Sequence, residues 1–159
     1  MENISVFLDT DVLINWLAKE VDPNTGEELW RAPLRILKEI EIGELSGFTS
    51  IINLMEIIFV LRRKKRWKDE KIISTIGRIR EIPNFSVLIP TEADMISAYS
   101  IQTAFALDPF NSIYYSISRR RIDYIISRDS DFISIVNTAE KKPVAFTPER
   151  FLKDVMKQS

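Results

Sequence analysis

The chain contains no cysteine and no histidine. Without cysteine there are no disulfides, no thiolate zinc sites and no thiol nucleophile. Without histidine, the commonest general base and the commonest transition-metal ligand are both missing. Any metal site must then be built from oxygen: carboxylates, amides, hydroxyls and backbone carbonyls. Such donors suit Mg²⁺, Mn²⁺ or Ca²⁺ rather than zinc or copper. Serine–histidine and cysteine–histidine nucleophile systems are excluded on the same ground. Glycine is scarce, at four in 159 residues, and no Gly-x-x-x-x-Gly-Lys phosphate loop occurs. No apolar run reaches membrane-spanning length. Residues 1–5 lack the basic and apolar regions of a secretory leader, so a cytoplasmic location is expected.

What remains is a globular composition, 45% hydrophobic and 28% charged, in a chain long enough to bury one core. No repeat and no low-complexity linker interrupts it, and a single domain over 1–159 is expected. The net charge of −1 gives no overall pull toward nucleic acid. Basic residues nevertheless bunch at Arg62, Arg63, Lys64, Lys65 and Arg66, and again at Arg119, Arg120 and Arg121. Such runs either contact phosphates or match the negative ends of helix dipoles, and the sequence leaves both readings open.

Residues 4–8 form a short apolar β-former run, followed by Asp9-Thr10-Asp11 and a helical segment from Val12. A continuous apolar strand of this kind suits a parallel sheet buried on both faces. Apolar spacing predicts helices over 27–42, from 51 into the basic run, and over 67–82. Strands are expected at 47–49, 85–89, 122–127 and 142–146. Thr91 with Asp94, Asp108-Pro109 and Thr147-Pro148 read as helix starts, because each supplies a capping oxygen or a proline at the first helical position. Strands alternating with helices imply right-handed βαβ units and an α/β three-layer sandwich around a mainly parallel sheet.

Asp9 and Asp129 then stand at the carboxyl ends of two expected strands, where open parallel sheets bind ligands. Each would also serve as an ordinary helix cap. Glu56 lies among Ile51, Ile52, Leu54, Met55, Ile57, Ile58 and Phe59. A carboxylate in such a run is either buried beside a compensating partner or part of a narrow polar stripe with Asn53 and Arg63. Several carboxylates with no histidine repel one another until a divalent cation neutralises them. The chemistry suited to that arrangement is metal-assisted hydrolysis of a phosphodiester.

The chain resembles the PIN domain, the nuclease module of VapC-type toxins and of several RNA-processing proteins, over nearly its whole length. The resemblance is carried by Phe7-Leu8-Asp9-Thr10-Asp11, by Phe48-Thr49-Ser50 followed by Glu56, by Ser127-Arg128-Asp129-Ser130-Asp131-Phe132, and by Phe146-Thr147-Pro148-Glu149-Arg150-Phe151-Leu152. It implies an Mg²⁺- or Mn²⁺-dependent endoribonuclease with Asp9, Glu56 and Asp129 as the catalytic acids. Asp131 and Asn111 would join those three as metal ligands. It further implies an RNA substrate, a possible antitoxin partner and a homodimer. Leu107-Asp108-Pro109-Phe110-Asn111-Ser112 departs from the pattern, placing Asn111 where an acid is expected. An amide offers a carbonyl oxygen but no charge, which makes a weakened domain that binds RNA or protein the alternative. Asp9-x-Asp11 after an apolar strand also resembles haloacid-dehalogenase phosphatases. However, Val12-Leu13 follows and no separate lysine motif is apparent.

Overall fold

The computed structural model describes residues 3–119 and 121–158. Arg120, in the middle of the second basic run, lies outside the described residues. Strand β1 (Ile4–Leu8) is followed by α1 (Thr10–Leu17) and α2 (Arg31–Glu41), then β2 (Leu45–Ser50), α3 (Ile51–Arg63), α4 (Asp69–Glu81) and β3 (Phe85–Leu88). The second half comprises α5 (Glu92–Phe105), α6 (Pro109–Ser118), β4 (Tyr124–Ile126), α7 (Ser130–Ala139), β5 (Val144–Phe146) and α8 (Pro148–Asp154). The strands form one sheet in the order β3-β2-β1-β4-β5, and every pairing is parallel.

The pleat explains why β1 is apolar at consecutive positions from Val6 to Leu8. Val6 and Leu8 face one side, where they pack with Ile36, Ile40, Leu54, Ile57, Leu61 and Phe151 from α2, α3 and α8. Phe7 faces the other side and joins Ala98, Ile101, Tyr114, Ile117 and Phe132 from α5, α6 and α7. Successive side chains of a strand point to opposite faces, so a strand covered on both sides needs apolar residues at consecutive positions, and the buried polar pair Thr49 and Ser50 of β2 is hydrogen-bonded instead. The result is the three-layer α/β/α sandwich. Among the described residues, no helix is long and apolar enough to cross a membrane.

Strands β2, β4 and β5 begin at Leu45, Tyr124 and Val144, each two residues from the expected start, and two helices start later than expected. Helix α2 begins at Arg31 rather than near residue 27, because the preceding segment is held as a loop. There Asn24 N–H donates to Asp22 Oδ1 at 2.8 Å, Leu29 N–H donates to Glu20 O at 3.0 Å, and Val21 bridges Glu28 in antiparallel fashion. Helix α4 begins at Asp69 rather than 67, since Arg66 adopts a left-handed φ of 60° and Lys68 is extended. The capping arrangements fall where local chemistry places them. Ser50, Thr91, Asp108 and Thr147 each accept the N–H three residues on. One close contact fixes the middle of the sheet. A Cβ on Gly47 would lie 2.6 and 2.9 Å from Ile40 and 2.9 Å from Phe85.

The basic runs resolve unequally. Arg119 pairs with Glu140, and Arg121 with Asp94 at 3.6 Å, so both described members of the second run are committed to ion pairs. In the first run Lys65 pairs with Glu20 at 2.7 Å and Arg62 with Asp69 at 3.8 Å.

Candidate active site

The strand order reverses between β1 and β4, since β1 leads outward to β2 and β3 on one side while β4 and β5 lie on the other. At such a switch point the loops leave in opposite directions and open a crevice at the carboxyl ends of the strands. The acids at the ends of β1 and β4 are therefore neighbours, although 120 positions separate Asp9 from Asp129 in the sequence. Asp9 N–H donates to Ile126 O at 3.0 Å, carrying the β1–β4 pairing one residue past the strand.

Asp9 is 5% exposed. Its Oδ1 accepts from Thr10 N–H at 2.8 Å and its Oδ2 from the Ser127 hydroxyl at 2.7 Å. Burial pushes its carboxyl up to about 8, with nearby Asp11 and, more weakly, Glu56 acting in the same direction. The bonds from Ser127 and Thr10 oppose this without overcoming it. Asp9 thus holds a proton near neutral pH, when no cation is present to replace it.

Asp11, in the first turn of α1, is the residue that reading the sequence for site roles overlooked. Its Oδ2 accepts from Arg128 N–H at 3.1 Å. Its Oδ1 is buried and has no partner that meets hydrogen-bond geometry. Burial raises this carboxyl to about 6, against the pull of the Arg128 and Val12 backbone N–H groups, and Asp129 adds to the rise. Its only sequence-level signal was its place two residues after Asp9.

Glu56 is half-buried, and the polar-stripe reading gives way to a bonded one. Thr10 Oγ1–H donates to Glu56 Oε1 at 3.0 Å, and the Tyr114 hydroxyl donates to the same oxygen. Behind Thr10, Asn53 Nδ2 donates to its Oγ1 at 3.0 Å, and Asn53 itself closes the capping box with Ser50. The cap that starts α3 therefore also orients the hydroxyl that holds Glu56. Burial together with the Glu56 hydrogen bond raises the Tyr114 hydroxyl above its usual range, so it remains a donor.

Asp129 is the N-cap of α7: its Oδ1 accepts from Phe132 N–H at 3.1 Å. Its Oδ2 faces Asn111 Nδ2 at 3.2 Å, while the same amide also donates to Asp108 Oδ2 at 2.9 Å. Asn111 thus lies beside Asp129, and Asp108 caps α6 through Asn111 N–H at 2.9 Å. Asp131 is exposed in the first turn of α7 and takes no part in the hydrogen bonds that tie the other acids together. The Arg128 side chain runs the opposite way, to Glu149 at 2.6 and 3.0 Å, to Leu29 O at 2.8 Å, and to Asn15 Oδ1.

The ion pairs of the described residues involve none of Asp9, Asp11, Glu56 or Asp129. The donor chemistry, carboxylates with one amide, fits a hard divalent cation. No three acidic side chains among the described residues stand at the spacing of a ready-made ion cage.

The PIN domain profile matches residues 6–137. Solved structures with the same fold include a toxin–antitoxin complex from Klebsiella pneumoniae, at TM-score 0.60 and 16% identity, covering 90% of this chain and 97% of that one. FitAB bound to an IR36 DNA fragment matches at TM-score 0.62 and 14% identity, covering 90% and 94%. FitAcB from Neisseria gonorrhoeae matches at TM-score 0.54 and 16% identity, covering 91% and 98%. At these identities the likeness speaks to the fold. A comparison with curated proteins gives no match.

Proposed function

Because this chain belongs to the PIN domain family, whose members are generally nucleases, we propose that it is an Mg²⁺- or Mn²⁺-dependent endoribonuclease. The observation that supports the reading is that Asp9 and Asp129 follow adjacent parallel strands, with Glu56 near enough to act on Asp9, while among the described residues no basic side chain forms an ion pair with any of the three. Those three carboxylates would hold the cation, with the carbonyl oxygen of Asn111 beside them and the exposed Asp131 at the rim. When bound, the cation would neutralise the clustered charge, orient the scissile phosphate and make an attacking water more acidic.

The chain's own groups prepare the site. Asp9 releases its proton as the cation is taken up, so metal affinity rises with pH toward about 8. Thr10 and Tyr114 both donate to Oε1 of Glu56, which leaves Oε2 to accept a proton from water. RNA as the substrate rests on the resemblance to VapC-type toxins carried by residues 7–11, 48–50 with Glu56, 127–132 and 146–152.

An antitoxin partner and a homodimer belong to the same reading. The toxin–antitoxin complex among the structural neighbours supports the first. Exposed Met55 and Phe59 on α3 and exposed Ile96 and Tyr99 on α5 support an interface of either kind. Light scattering on the isolated chain distinguishes monomer from dimer.

One observation favours a second reading. Asn111 presents its amide N–H to Asp129, so this corner adds no negative charge. On that reading the chain binds RNA or a protein without cutting. Cleavage of a structured RNA by wild type, Asp9→Asn and Asn111→Asp, each in Mg²⁺ and in Mn²⁺, separates the two. The nuclease reading expects wild type to cut and Asp9→Asn to lose at least about 100-fold in rate. Inert wild type with active Asn111→Asp hands the argument to the binding module. Cleavage that persists in EDTA overturns the metal mechanism.

A further inference from the structure

We propose that Asp11 is a further carboxylate ligand of the divalent cation and supplies the negative charge that Asn111 does not. The inference rests on the metal-dependent reading above and adds a residue to it. Asp11 is joined to both strand-end acids. It follows Asp9 by two residues in the first turn of α1, and its Oδ2 accepts from the N–H of Arg128, the residue immediately before Asp129.

A structural role explains an acceptor at this position but not a charge. An asparagine would accept the Arg128 N–H equally well through its carbonyl oxygen. It would also add no negative charge to a cluster of acids. The remaining oxygen, Oδ1, is buried and has no partner that meets hydrogen-bond geometry. A buried carboxylate oxygen without a hydrogen-bond donor is costly unless something binds it. The Arg128 guanidinium acts on this carboxyl group through its charge but makes no hydrogen bond or ion pair with it. Arg128 directs its side-chain hydrogen bonds to Glu149, Asn15 and the Leu29 carbonyl. A cation between Asp9, Asp11 and Asp129 would satisfy Oδ1 and relieve the repulsion in one step. The site then contains four carboxylates, Asp9, Asp11, Glu56 and Asp129, even with an amide at position 111.

The test is Mn²⁺ binding to the full chain, followed by titration calorimetry and by the electron paramagnetic resonance signal of free Mn²⁺. Wild type is compared with Asp11→Asn, Asp129→Asn and the double variant Asp11→Asn/Asn111→Asp. Asp11→Asn should weaken Mn²⁺ binding at least about tenfold while raising the metal-free melting temperature, because the unpaired charge is gone. The double variant should recover most of the lost affinity, since the charge returns at the other corner. Asp11→Ser, which keeps an acceptor oxygen in a smaller side chain, should repeat the loss if the asparagine variant folds poorly. Unchanged Mn²⁺ binding in Asp11→Asn and Asp11→Ser, with binding lost in Asp129→Asn, would overturn the proposal and leave the metal reading intact. If wild type takes up no Mn²⁺, or Asp129→Asn binds as wild type does, the metal reading falls together with it.

Discussion

Buried carboxyl groups give this chain an unusual dependence on pH. Asp9 moves from 3.8 to about 8 on folding, and Asp11 from 3.8 to about 6. The folded state therefore binds protons more tightly than the unfolded one. Their favourable contribution is complete below about pH 4 and is lost as pH rises through 6 and then 8. In EDTA, the melting temperature should fall by several degrees between pH 5 and pH 8.5, as followed by circular dichroism. Asp9→Asn should flatten that slope and melt higher than wild type at pH 8. Saturating Mn²⁺ should oppose the decline, because a bound cation favours the deprotonated acids. A metal-free melting temperature that rises over this range would show that Asp9 is already ionised in the folded protein. Tyr114 offers a second residue-scale measurement. Tyr114→Phe keeps the ring packed at 5.7 Å from Phe7 but removes a hydrogen bond to a carboxylate. A loss of about 1.5–3 kcal/mol in urea denaturation is expected.

Helix α3 illustrates how an element carries chemistry through its own ends. The Ser50 cap fixes where the helix starts, and Asn53 three residues on links that cap to Thr10 and so to Glu56. Ser50→Ala should therefore cost about 1–2 kcal/mol in stability. It should also slow any cleavage beyond what the stability loss explains, because Asn53, which orients the Thr10 hydroxyl that holds Glu56, loses its anchor. Measuring rate and unfolding free energy on the same preparation separates the two effects. At the centre of the sheet, Gly47 is required by close approach rather than by backbone conformation. Ile40 and Phe85 both occupy the space a methyl group would take. Gly47→Ala should cost about 1–3 kcal/mol by overpacking, read as a lower urea midpoint with an unchanged slope.

At the scale of the whole molecule, Arg128 ties the site loop to three distant parts of the chain. It bonds Asn15 on α1, the Leu29 carbonyl in the loop before α2, and Glu149 on α8. Its own backbone N–H meanwhile holds Asp11. Arg128→Met, which keeps much of the stem, should destabilise by on the order of 2–3 kcal/mol through the stranded carboxylate and carbonyl. The same variant should retain its Mn²⁺ affinity within a few-fold if Arg128 acts only as a brace. A collapse of Mn²⁺ binding at full folding would instead show that its side chain sets the geometry of the acids.

Features decided within a few residues were open to reading from the sequence. The apolar strand ending at Asp9, the helix starts at Ser50, Thr91, Asp108 and Thr147, and the oxygen-only donor set are all local or compositional. Capping is a contact between a side chain and a backbone group three positions away, so its signal is intact in the linear chain. The start of α2 was misread because apolar spacing continued into residues whose backbone bonds go instead to Glu20 and Asp22. Tertiary structure alone decided which side chains meet across the sheet. Tyr114 reaches Glu56 over 58 positions and Arg128 N–H reaches Asp11 over 117. Those meetings depend on the strand order reversing between β1 and β4, which brings two carboxyl strand ends together beneath the start of α1. The sequence by itself determined that any reactive centre here is made of oxygen, for want of histidine and cysteine. The fold decided which oxygens gather there and which of them are left without a proton donor.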